Sequence, residues 1–115
     1  MAKHILVVLS NAVEGTDAEF NDWYTNTHLG DILALKGFEA AQRFELAGVQ
    51  LNPDADSPYR YLAFYEIETD DLKETANELL GGVDRGMEIS PTLDMDRTVA
   101  WLFSPVTQRV EAVKA

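Results

Sequence analysis

Four short segments of this chain are rich in β-branched and aromatic residues, and most are apolar on both faces. They alternate with two helical patterns in the order β-α-β-β-α-β, which leaves few topologies open. His4 to Ser10 (His-Ile-Leu-Val-Val-Leu-Ser) reads as a first strand buried on both faces. Phe38 to Val49 is a second, with Phe38, Ala40, Gln42, Phe44 and Leu46 on one face and Ala41, Arg43 and Glu45 on the other. Tyr59 to Glu68 is a third, with Tyr59, Tyr61, Ala63 and Tyr65 on one face, and Thr98 to Phe103 is the last. Between the first two strands, Thr16 and Glu19 have capping-box spacing. Phe20, Trp23, Tyr24, Thr27 and His28 then recur at helical spacing. Gly30 is expected to interrupt this helix just after His28, and Gly37 to close the segment that follows. Gln50 to Pro58 is loop chemistry, and Asp70 to Leu80 is a helix that Gly81-Gly82 should end. The tail from Pro105 to Ala115 is free to cross to a partner.

This order predicts an α+β, ferredoxin-like domain: a four-stranded antiparallel sheet with two helices on one side. No linker, repeat or low-complexity segment divides the chain, so residues 1–115 read as a single domain. A chain of 115 residues buries roughly two-thirds of its unfolded surface, enough for a core of its own. Strands apolar on both faces cannot leave the uncovered face wet. The cheapest cover is a second copy, so the expectation is a homodimer with two sheets packed face to face.

Charge and composition exclude several functions. Nine Lys and Arg against 20 Asp and Glu give a net charge of −11, which repels phosphate backbones, and no basic stripe offsets it. Nucleic acid and anionic membrane are therefore not expected partners. There is no cysteine, hence no thiolate metal site and no cysteine nucleophile. No secretory leader or membrane span is legible, so a cytoplasmic protein is the expectation. No phosphate loop, dinucleotide fingerprint, nucleophile elbow or metal-ligand spacing is present, so no cofactor and no metal are expected.

Acid/base chemistry is what remains. His28 lies four residues after Tyr24 and five after Trp23, so the phenol and the imidazole share one helix wall. An imidazole beside an apolar pocket exchanges protons near neutral pH. It also reads as a helix C-terminal cap. Asp31, three residues on, is placed to orient the ring. Arg43, mid-strand, is a candidate ligand for a substrate carboxylate or enolate oxygen; its alternative is an internal pair with Glu45 or Glu66. His4, Tyr61 and Trp101 are candidate pocket-lining groups on the strands.

The stretch Phe20-Asn-Asp-Trp-Tyr-Thr-Asn-Thr-His28-Leu-Gly-Asp-Ile-Leu-Ala-Leu-Lys-Gly37-Phe resembles the dimeric α/β-barrel superfamily, most of all its EthD-like branch. There a helix carries an aromatic pair, a His four residues after its Tyr, and an apolar run to a glycine that opens the second strand. This chain departs at Gly30, where the pattern has proline. The resemblance implies a pocket between helix and sheet with the helix His as acid/base, which carries over to His28, Tyr24 and Trp23. An opening-strand His such as His4 recurs in polyketide-cyclase relatives. The superfamily includes decarboxylases, dehydratases, cyclases, lactone isomerases and cofactor-free monooxygenases of aromatic or polyketide-like compounds. The first expectation is a cofactor-independent acid/base enzyme acting on a small hydrophobic, aromatic substrate by decarboxylation, dehydration or retro-aldol cleavage, with isomerisation or cyclisation needing the same groups. A cofactor-free monooxygenase is the second. The third is a non-catalytic stress-response or ligand-binding dimer.

Overall fold

Branched and aromatic runs pair into the strands that their period-two pattern predicts. The computed structural model describes residues 2–114. Strand β1 spans Ala2–Ser10, β2 Phe38–Glu45, β3 Tyr61–Thr69 and β4 Val99–Phe103. They form one antiparallel sheet in the order β2-β3-β1-β4. The two central strands, β1 and β3, pair from Ala2 opposite Thr69 to Ser10 opposite Tyr61. That register places Leu6, Tyr61, Ala63, Tyr65 and Ile67 on one face, where they pack with Phe20, Trp23, Tyr24, Ile32 and Phe38 as the buried core. Among the described residues no helix is long and apolar enough to cross a membrane.

Several local expectations are corrected. The first helix does not break at Gly30. Helix α1 (Asp17–Trp23) runs through a π-helical turn (Tyr24–His28) into α2 (Leu29–Leu33), so Gly30 is helical. The irregularity falls one turn earlier, where burial of Tyr24 and His28 on the sheet outweighs the glycine signal. Thr16 does not cap α1 with its side chain; its hydroxyl donates to the Val13 carbonyl instead. Phe38 lies on the helix side, because an irregularity in the β2–β3 ladder between Phe38 and Ala40 shifts the alternation. Helix α3 (Leu72–Asp84) continues through Gly81-Gly82; its N-terminus is capped by Asp71, whose carboxylate accepts from the Glu74 N–H at 3.1 Å. Gly37 holds φ +96° beside Thr75, a conformation and a clearance that suit glycine alone.

Asn11 ties two segments to the end of β1. Its amide donates to the carbonyls of Pro58 and Arg97, and its oxygen accepts from the Arg60 N–H. The other face of the sheet is uncovered in the single chain: Ile5, Phe44, Trp101 and Phe103 on that face are all exposed, Trp101 to 60%.

Candidate functional site

The site is built where the first helix crosses the β2 edge of the sheet. Opposite Arg43 on the neighbouring strand stands Ala63, whose small side chain leaves the guanidinium room to lie under the helix. There Arg43 Nη1 donates to Thr25 Oγ1 at 2.8 Å and Nη2 donates to Asn21 Oδ1 at 2.9 Å. Asn21 and Thr25 are four residues apart and so share one flank of the helix. The guanidinium carbon also sits 4.6 Å from the Tyr24 ring centroid, 5.5 Å from Phe20 and 5.6 Å from Tyr61. Its hydrogen bonds all go to neutral oxygens; no ion pair to Glu45 or Glu66 forms among the described residues. Burial lowers the Arg43 pKa, and the neighbouring tyrosines and Glu45 counter it.

A polar chain extends from this cation. Asn21 Nδ2 donates to the Tyr61 hydroxyl at 3.2 Å, and that hydroxyl donates to Asp17 Oδ2 at 2.7 Å. Burial and the Asp17 carboxylate both raise the Tyr61 pKa. Asn21, Thr25, Arg43, Phe44, Glu45 and Tyr61 line an open cleft of about 360 Å3.

Tyr24 and His28 lie deeper, 2% and 7% exposed. Tyr24 touches both halves of the site. Arg43 lies over its ring, and the His28 ring meets it edge-on at 4.8 Å. The Tyr65 hydroxyl donates to that of Tyr24 at 2.9 Å, and burial raises the pKa of both phenols. Trp23 stacks on His28 with centroids 4.5 Å apart. Trp23 Nε1 and His28 Nδ1 are buried without a hydrogen-bond partner, an uncommon state for polar atoms. Desolvation pushes the His28 pKa down to about 4, with Asp31 opposing it, so the imidazole is neutral at pH 7.

No protein-family model matches the chain, and no curated protein does. Solved structures do. An EthD family protein from Bacillus halodurans superposes with a TM-score of 0.59 at 15% identity, over 92% of this chain and 100% of that one. The heme-degrading protein MhuD from Mycobacterium tuberculosis gives 0.63 at 14% identity, over 93% and 99%. SnoaB, a cofactor-independent oxygenase from Streptomyces nogalater, gives 0.56 at 16% identity, over 96% and 100%. This chain has a ferredoxin-like fold.

Within the ferredoxin-like frame, five of the residues singled out from the sequence come together: Trp23, Tyr24, His28, Arg43 and Tyr61. Three do not. Asp31 acts on His28 through charge, with no hydrogen bond between them. His4 shares a hydrogen bond of 2.8 Å with Ser104 at the far end of β1. Trp101 stands on the uncovered face of β4. Asn21, Thr25 and Asp17 were not anticipated. The one signal for them is their recurrence at four-residue spacing beside the Phe20–Tyr24 apolar stripe.

Proposed function

We propose that this chain is a homodimeric, cofactor-independent acid/base enzyme, of lyase or isomerase type, acting on a small aromatic carbonyl compound. Arg43 carries the reading: a half-buried guanidinium, bonded only to neutral oxygens, at the wall of an open cleft. Its charge is left for a substrate carboxylate or enolate oxygen. His28, neutral and desolvated, is the base. It takes a proton from the carbon beside the substrate carbonyl, and the C–H electron pair moves into the carbonyl to give an enolate held by Arg43. That enolate expels a β-hydroxyl, which takes the proton back from His28 and leaves as water, or the enolate regains that proton from His28 at another carbon. Tyr61 hydrogen-bonds the substrate at the cleft; His28 does not line that cleft, so the proton transfer requires the Trp23 ring stacked on it to move. The homodimer reading rests on the exposed apolar sheet face, and a name such as that of SnoaB, a cofactor-independent oxygenase, favours a variant in which the same enolate meets oxygen.

A second reading, a non-catalytic ligand-binding dimer, is favoured by the deep burial of Tyr24 and His28. The deciding experiment incubates the protein with aromatic β-hydroxy acids, β-keto acids and hydroxyanthrones, under air and under argon. The expected result is turnover of at least one class, with His28→Gln losing at least about a hundredfold in kcat while the oligomer stays intact. Turnover only under air selects the oxygenase variant. Binding without turnover selects the ligand-binding dimer, and turnover untouched by His28→Gln removes His28 from the chemistry.

A further inference from the structure

We infer that the C-terminal arm of one copy, residues 105–114, docks in a cleft at the N-terminal end of β1 on a second copy. The inference rests on the homodimer reading and adds a contact to it. The cleft has a volume of about 230 Å3 and opens on the uncovered side of the sheet. Ile5 and Phe103 form an apolar floor, paired across β1 and β4, and Glu39, Glu66 and Glu68 surround it with Lys3 as the one opposing cation.

The arm is built as its complement. Val106, Val110 and Val113 are 97%, 84% and 98% exposed, three apolar side chains with nothing to pack on in their own chain. The arm carries Arg109 and Lys114 against Glu111, a net positive segment on a chain whose total is −11. Its one ion pair joins Arg109 to its own neighbour Glu111. An acid-ringed apolar cleft and a net positive, valine-bearing segment attract through both charge and burial. The arm's own cleft is a poor host, because Ser104 and Pro105 form its rim and the chain leaves from there. Ten extended residues reach about 33 Å, whereas four strands at about 4.8 Å spacing are about 15 Å across, so the arm can span a partner's sheet.

The chain has no cysteine, so single-cysteine variants report contacts between copies directly. Val106→Cys, Val110→Cys and Val113→Cys are each mixed with Glu66→Cys or Glu68→Cys, oxidised, and read by mass spectrometry for the mixed disulfide. At least one arm position should cross-link to the cleft as the dominant product. In the full chain, the triple change Val106→Asp, Val110→Asp, Val113→Asp should raise the dimer Kd at least about tenfold by sedimentation. A dimer with no arm-to-cleft cross-link and an unchanged Kd in the triple variant overturns the docked arm and leaves the homodimer standing. A chain that sediments as a monomer at every concentration overturns both.

Discussion

Lowering the pH should selectively destabilise this protein through His28, and comparison with His28→Gln isolates the effect. In the unfolded chain the imidazole titrates near its ordinary value of about 6.5. In the folded chain desolvation among Trp23 and Tyr24 holds it down to about 4. The unfolded state therefore binds a proton that the folded state refuses. Above pH 6.5 the two states are alike and no stability is lost. As pH falls from about 6.5 toward 4 the unfolded state gains, and below about 4 the loss levels off. At about 1.36 kcal/mol per unit, the separation costs about 2 kcal/mol at pH 5 and about 2.5 kcal/mol at pH 4.5. The acidic side chains are common to both proteins, so the difference between the two curves isolates His28 together with its charge interaction with Asp31. Glutamine does not titrate, so its own burial shifts stability by a constant. The assay is urea unfolding at fixed protein concentration, followed by the fluorescence of Trp23 and Trp101, at steps from pH 7.5 to 4.5. The stability gap between the two proteins should move by about 2.5 kcal/mol in favour of His28→Gln. Parallel curves would refute the reasoning, because an imidazole solvated in the fold would titrate alike in both states.

Three further outcomes follow from packing. Gly37→Ala should cost about 1–2 kcal/mol in thermal or urea unfolding, because φ is +96° and the new Cβ meets Thr75 at 3.0 Å. Gly81→Ala should instead stabilise by about 0.5–1 kcal/mol: the site is inside α3, and the nearest obstacle is the flexible end of Arg85. Tyr65→Phe should cost about 1–2 kcal/mol by leaving the buried Tyr24 hydroxyl unpaired, and adding Tyr24→Phe should recover part of that loss.

Residues on the sheet and helix show why some features were legible in the sequence. The alternation of Tyr61, Ala63 and Tyr65 and the spacing of Phe20, Trp23, Tyr24 and His28 are periodic, and burial enforces a period whatever the neighbours are. Helix ends were not legible in the same way. Gly30, Gly81 and Gly82 carry strong breaking signals, yet each costs only about 1 kcal/mol in a helix, less than the packing that holds the segments in place. Phe38 changed face because one ladder irregularity shifts the parity of a strand, and alternation alone carries no mark of it.

The order of strands and helices, the acidity of the surface and the pairing of Tyr24 with His28 on one helix wall are properties of the sequence by itself, since all depend on neighbours within a few residues. Which partner Arg43 takes was decided only by the tertiary structure. Glu45 lies two residues away, but the guanidinium turns under the helix to Asn21 and Thr25, 22 and 18 positions distant. The small Ala63 beside it and the aromatic rings above it make that direction the favourable one, and such long-range fit has no local signature. For His28 the two levels divide differently: the rings against it, Trp23 and Tyr24, are its helix neighbours at five and four residues, but the burial that lowers its pKa comes only when that helix docks on the sheet.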